Sequence, residues 1–342
     1  MNTLATVRSV LLQSRPRGAP LASDFVVAER TAPQPGDGEM LVQVELCSID
    51  PAMRRWMDAE SYGVPIALGG EIPCTVVGRV LDSRCNPHAA GEFVTGRGTV
   101  ATHCLMRADG YTRCIDPNDP LPLSAHLSVL GTSGLTACNG LLKVGRPQRG
   151  DTVLVSAAAG SVGSLVGQIA RIHGCRAVGI AGGPAKCRTL LETYGFDAAV
   201  DYRDRDVSSL TRAVREACPG GVDVYFDNVG GACLDAALAA LNHRARVVLC
   251  GMIGEYDTDG ATHGIRNLWQ LIARTATMTG FLNREHLANC GAELQQLRQW
   301  VDQGRLRWQV HEECGLERFH AALLQLFEGT NRGRLVLRVG PG

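Results

Sequence analysis

Residues 155–163, VSAAAGSVG, gather small side chains into one stretch whose two glycines, Gly160 and Gly163, stand three apart. A sharp turn needs positions without side chains, and so does a backbone that must lie against a large ligand. Upstream, Thr152–Ser156 is a short apolar, β-branched run that predicts a buried parallel strand. Downstream, Leu165, Ile169 and Ile172 recur at helical spacing and predict a helix over residues 163–173. Strand, glycine turn and helix form the context in which amides at a helix N-terminus hold a pyrophosphate. The motif reads Ala158-Ala-Gly160-Ser-Val-Gly163, with alanine at the first position of the usual G-x-G-x-x-G.

The next strand, Arg176–Gly182, ends nineteen residues after Gly163, where an NAD site carries a ribose-binding acid. No Asp or Glu stands there, and the chain runs Gly182-Gly-Pro-Ala-Lys186 instead. A carboxylate would repel a 2′-phosphate and a lysine would attract it, so the segment prefers NADP(H). A solvated helix lysine is the plain alternative for Lys186. Further on, Tyr256 closes Cys250-Gly-Met-Ile-Gly-Glu-Tyr256, directly after a predicted fifth strand. That places it off the carboxyl edge of a parallel sheet, where ligands bind. A phenol stays protonated at neutral pH and can donate a hydrogen bond. A packing tyrosine in a loop is the competing reading.

These groups need elements to position them. At 342 residues the chain is long enough for two domains. The first 130 residues are rich in short strands and turns, among them Val7–Gln13, Met40–Leu46 and Cys74–Leu81. From about Gly131 strands and helices alternate. Candidate strands are Thr152–Ser156, Arg176–Ala181, Ala198–Tyr202, Val222–Asp227, Arg246–Cys250 and Thr277–Phe281, which make a doubly wound parallel sheet. A helix around 292–302 follows, then a strand-like Trp308–Val310, a helix near 318–327 and a strand at Arg334–Val339. The domains expected are 1–130, a nucleotide-binding 131–303, and 304–342 returning to complete the first.

Lys and Arg total 34, as do Asp and Glu, so no net field recruits nucleic acid or an acidic membrane. No run approaches 18 consecutive apolar residues, which argues against a membrane span. The arginine-bearing start could suit a transit peptide, but its apolar run serves better as a first strand. Thirteen cysteines without a C-x-x-C pair fit a reducing, cytoplasmic setting.

SIDPAMRRWM (48–57), GLTACNGLLKVG (134–145), VLVSAAAGSVGSLVGQIA (153–170), FDNVGG (226–231), CGMIGEY (250–256) and GTNRGRLVLRV (329–339) are six stretches spread over the chain. Together they resemble the medium-chain dehydrogenases/reductases, and within them the leukotriene B4 dehydrogenase/prostaglandin reductase group of NADPH-dependent alkenal and enone reductases. The resemblance covers nearly the whole chain. It implies an α/β fold, with a GroES-like β-rich catalytic domain plus a Rossmann domain. Ala52, Cys138 and Asn139 stand where many members carry aromatics, which points to an altered pocket. The resemblance supports Tyr256 as the active-site tyrosine and adds Tyr62. For the cofactor, resemblance and chemistry agree on Ala159, Gly160, Ser161, Val162 and Gly163 at the pyrophosphate. They agree too on Gly182, Lys186 and Tyr202 near the 2′-phosphate, and on Asn228 at the ribose. Cys250, Gly251, Ile253, Phe281 and Leu282 would line the nicotinamide. Asn331 resembles a pyrophosphate-contacting asparagine. A homodimer is the expected assembly.

Zinc alcohol dehydrogenases share the superfamily. Cys47-Ser-Ile-Asp50 resembles their first ligand motif, but the second ligand position is Gly70 and the third falls at Thr132. A catalytic zinc takes three protein ligands, so no metal is expected. Without a Lewis acid, conjugate reduction is the softer route: hydride reaches the β-carbon and charge moves to a carbonyl oxygen that Tyr256 can hold. Quinone reduction, or NADPH binding without catalysis as in crystallin-like or RNA-contacting relatives, are the alternatives. No basic, aromatic-studded patch favours RNA.

Overall fold

The computed structural model describes residues 6–61, 63–258 and 263–339. Contacts divide the chain into two units: Met1–Thr132, Leu287–Asn289 and Val310–Gly342 form one, and Ser133–His286 with Cys290–Gln309 the other. The first unit begins with β1 (Thr6–Leu12), β2 (Phe25–Thr31), β3 (Glu39–Ser48), β4 (Pro73–Ser83), β5 (Phe93–Thr99), β6 (His103–Arg107) and β7 (Arg113–Ile115). The second carries β8 (Thr152–Val155), β9 (Arg176–Ala181), β10 (Ala198–Asp201), β11 (Val222–Asp227), β12 (Leu241–Leu249) and β13 (Thr277–Gly280). The chain then supplies β14 (Val310–Cys314) and β15 (Arg334–Arg338) to the first unit.

In the first unit β3 is the hub. It alternates as its sequence demands, with Met40, Val42 and Val44 fully buried, and pairs antiparallel with β4, β6 and β15. The sheet runs β14-β15-β3-β4-β5-β7, while β1 and β2 form a separate antiparallel pair. Arg334, 3% exposed, clamps Asp50 with Nη1 and Nη2 of its guanidinium. Arg54, 4% exposed, donates to the carbonyls of Gly18 and Pro16 and pairs with Asp58. Asp50 and Arg54 are therefore committed to holding the segment after β3.

In the second unit six parallel strands lie in the order β10-β9-β8-β11-β12-β13. Chain direction across the sheet reverses between β8 and β11, the switch point at which such sheets bind ligands. Helices 163–172, 207–217, 231–238 and 291–302 belong to this unit. Two details differ from the sequence reading. β12 starts at Leu241, because Leu241 pairs with Val222 before the register shifts. The strand expected at Trp308–Val310 lies instead at Val310–Cys314, whose His-Glu-Glu core carries no apolar signal and extends through parallel pairing with β15. Among the described residues, no helix is long and apolar enough to cross a membrane.

Candidate active site

The turn between β8 and the helix Gly163–Ile172 is built from backbone. Ala157 takes φ 45°, the left-handed region, and the Gly160 amide donates back to Ala157 O at 2.9 Å. A methyl on Gly163 would lie 2.5 Å from Ala157 O and 2.8 Å from Ala158 Cα, so only glycine lets helix and turn approach this closely. Ser164 N–H bonds Gly160 O, which starts the helical ladder. The amides of Ser161, Val162 and Gly163 precede that point, as the unspent first-turn donors of a helix do. Of the five positions expected at the pyrophosphate, then, Gly160 spends its N–H inside the turn, and Ala159 is 8% exposed.

At the end of β9, Gly183 at φ 88° caps a short helix, Pro184–Arg188, which carries the half-buried Lys186. Asp201, ending β10, accepts from the amides of Gly183 (2.8 Å) and Arg203 (3.0 Å), tying the two strand ends together. The Tyr202 ring lies 3.1 Å from where a Gly182 Cβ would stand, and Arg203 Nη1 is 3.4 Å from the same point on Gly183. Tyr202 and Arg203 thus border one glycine pair, and Lys186 stands on the helix that follows it. Arg203, which follows Tyr202 past the end of β10, was not among the residues expected here, and its contact is with Gly183, twenty residues away. A guanidinium and an aromatic face beside such a pair suit a 2′-phosphorylated adenosine.

Beneath the switch point, fully buried Asp227 accepts from Ser156 Oγ (2.8 Å), Tyr225 OH (2.7 Å) and the amides of Val229 and Gly230. Burial pushes its carboxyl above the usual range, against the pull of these donors. Its backbone oxygen accepts from Cys250 and Gly251, while Asn228 O and Val229 O accept from Ile253 and Gly254. The loop after β12 is thereby laced to the loop after β11. Asn228 does not stand free, since its Nδ2 donates to Ser156 O at 2.8 Å. Ser156, Tyr225 and Asp227 form a support that motif spacing alone did not reveal. Cys250 is a thiol at neutral pH, pushed up to about 12 by burial and the Asp227 carboxylate.

Tyr256 follows a single 3-10 turn, Ile253–Glu255. Its hydroxyl accepts from Met252 N–H at 3.0 Å and lies 3.6 Å from the Cβ position of Gly251. The phenol is therefore held over a glycine at the carboxyl end of β12. Phe281 continues from β13, its amide bonded to Leu249 O, and its ring would meet a Cβ on Gly140 at 2.9 Å. Gly140 belongs to a π-helical turn, Asn139–Gly145, of the kind that often marks functional sites. Asn139, fully buried, donates from Nδ2 to Asn283 Oδ1 at 3.0 Å, just past Leu282. Its own Oδ1 has no partner among the described residues. One residue that departs from the family's aromatics thus touches the loop expected beside the nicotinamide.

In the first unit, Tyr62 lies outside the described residues. Asn331 is 8% exposed and donates from Nδ2 to Gly333 O at 3.1 Å, so this amide serves its own turn. Cys47 is fully buried, with its thiol directed to Thr99 O. Glu71 is taken by Thr99 Oγ1 (2.8 Å) and Arg30 (3.1 Å). Among the described residues, the one trio of His, Cys and acid donors that gathers is elsewhere, at His88, Glu92 and Cys114. The donor set at Cys47 does not fit a catalytic zinc, which needs three ligands.

Residues 8–114 match the N-terminal domain of oxidoreductase, and residues 161–302 match a family described as zinc-binding dehydrogenase. The chain is similar to the NADPH-dependent curcumin reductase of Escherichia coli, 35% identical over 97% of this chain and 96% of that one. It is 34% identical to the NADP(+)-dependent 2-alkenal reductase of Nicotiana tabacum, over 97% of both chains. The crystal structure of CurA from Vibrio vulnificus in complex with NADPH superposes with a TM-score of 0.90, at 34% identity over 98% of this chain and 100% of that one. Together with the glycine turn and the six-stranded parallel sheet, these matches show that the chain belongs to the medium-chain dehydrogenase/reductase superfamily, in its group of NADP-dependent alkenal and enone reductases.

Proposed function

We propose that this protein reduces the C=C bond of α,β-unsaturated aldehydes or ketones with NADPH, with Tyr256 as hydrogen-bond donor to the carbonyl oxygen and no catalytic metal. The observation that carries the reading is the Tyr256 hydroxyl, held by Met252 N–H over Gly251 at the carboxyl edge of the sheet. An oxygen that accepts an N–H is polarised into a better donor. When bound, NADPH supplies a hydride from C4 of its nicotinamide. Tyr256 donates to the substrate oxygen as enolate charge grows there, and the α-carbon is then protonated. The first-turn amides at 161–163 hold the pyrophosphate, and Lys186, Arg203 and the Tyr202 ring hold the 2′-phosphate. Cys250, Gly251 and Ile253 present backbone to the nicotinamide, with Phe281 and Leu282 at its side. NADPH oxidation across alkenals, cyclic enones and quinones tests the substrate class, and a chelator should leave turnover unchanged.

The same reading includes a homodimer in the cytoplasm. β13 is a terminal strand of its sheet with Thr277, Thr279 and Gly280 exposed, a template for pairing with a second copy. Leu268 (50%), Trp269 (58%) and Ile272 (86%) expose apolar surface just before it. Sedimentation of wild type against Ile272→Glu tests this assembly. All thirteen cysteines are free thiols, which supports a reducing compartment.

A further inference from the structure

The loop Ser83-Arg-Cys-Asn-Pro-His88-Ala-Ala-Gly-Glu92 joins β4 to β5 in the first unit. β7 pairs antiparallel with β5, setting Cys114 opposite Val94, two residues from Glu92. The pairing and the loop bring three different donor atoms together. His88 Nδ1 lies 3.1 Å from Cys114 Sγ, and Sγ lies 3.2 Å from Glu92 Oε2. All three atoms fall within 4.8 Å of one another.

The surroundings fix two of the three donors. Ser83 Oγ donates to His88 O at 2.6 Å and receives Cys85 N–H at 3.1 Å, which folds the loop back on itself. Ala89 N–H donates to Glu92 Oε2 at 3.0 Å and orients the carboxylate. His88 is 8% exposed, Glu92 half-buried and Cys114 exposed, so the cluster opens to solvent on one side.

We propose that His88, Glu92 and Cys114 form a binding site for one zinc ion, clipping the β4–β5 loop to β7, separate from the residues assigned to reduction. Bonds of about 2.0–2.3 Å to nitrogen, oxygen and sulfur at tetrahedral angles set donor atoms roughly 3.5 Å apart. The two spacings to Cys114 Sγ, 3.1 and 3.2 Å, are a few tenths of an ångström short of that, within reach of small side-chain rotations. Imidazole, thiolate and carboxylate together suit zinc better than calcium or magnesium, which take oxygen ligands. Three protein ligands leave a fourth position for water.

The test uses the full chain, stripped with chelator, kept reduced and titrated with Co²⁺ alone, followed by Zn²⁺. The site predicts one equivalent of Co²⁺, a thiolate-to-cobalt charge-transfer band in the near ultraviolet, strong visible bands of four-coordinate cobalt, and displacement of both by zinc. Cys114→Ser should abolish the charge-transfer band. His88→Gln should keep it at saturating metal. Each should weaken binding by more than the roughly 10- to 100-fold typical of an outer-shell partner, because each removes a direct ligand. NADPH turnover should stay at the wild-type level in both, which shows that they fold and separates this site from the reductase reading. Absence of stoichiometric cobalt binding, or a thiolate band that survives Cys114→Ser, overturns the proposal.

Discussion

Replacing Gly163 by alanine probes the phosphate turn with a single methyl. That methyl would stand 2.5 Å from Ala157 O and 2.8 Å from Ala158 Cα, both backbone atoms. The carbonyl is roughly 1 Å short of an ordinary contact. The turn has little room to recoil: Ala158 N–H bonds Ile180 O at 3.0 Å, Ser156 N–H bonds Phe226 O at 3.1 Å, and Ser156 Oγ is tied to Asp227. The strain should cost about 1–3 kcal/mol of stability, as other forced overpacking does. Moving the first helical turn also misaims the amides of residues 161–163. Loss of one charge-assisted bond, about 1.5–3 kcal/mol, weakens cofactor binding roughly 10- to 100-fold. Since NADPH and NADH share the pyrophosphate, both should suffer alike. Gly167→Ala is the control, because its methyl would collide with the Phe196 ring and not with the turn. It should lower the melting temperature while the folded protein binds cofactor normally. Fluorescence titration and thermal unfolding of the two variants decide the matter. Wild-type NADPH affinity in Gly163→Ala, alongside the expected loss of stability, would refute the role assigned to this turn.

Lys186→Ala and Arg203→Ala should each weaken NADPH by about 10- to 100-fold, the worth of a charged hydrogen bond, and leave NADH nearly unchanged in the same titration; equal losses for both cofactors would remove them from the 2′-phosphate. Tyr256→Phe should lower kcat about 10- to 100-fold, at or below the ~10²–10³ typical of a lost oxyanion donor, with little change in NADPH affinity. Burial holds the His103 and His173 imidazoles below their usual range, with Arg305 adding to the effect at His173. A depressed pKa gives stability that is present above the unfolded value near 6.5 and is lost as pH falls through the folded one. Denaturation midpoints should therefore drop as the pH is lowered below about 6.5, and a double His→Gln variant should flatten that slope.

The parallel sheet was legible because its strands are short β-branched runs separated by helices, and Arg176–Ala181 and Val222–Asp227 appear with the ends expected. β14 was placed too early because His-Glu-Glu looks like loop until β15 lies alongside it. The glycine turn was readable from Gly160 and Gly163, since close backbone approach leaves few other choices. The division of labour within it was not, for which amide is spent on the turn depends on Ala157 at φ 45°. Arg203 and the Ser156–Tyr225–Asp227 support escaped notice for a common reason. They act through contacts between strand ends far apart in sequence, and no local spacing encodes them. The Asn139–Asn283 bond is a third case, joining residues 144 apart.

The destination of the hydride separates conjugate reduction from carbonyl reduction. Wild-type protein turning over a simple enone with NADPH deuterated at the transferred C4 position gives the direct answer by NMR of the product. Conjugate reduction puts deuterium on the β-carbon of a saturated ketone, with the carbonyl intact. Deuterium on a carbinol carbon, with the alkene retained, would contradict it and make the protein a carbonyl reductase.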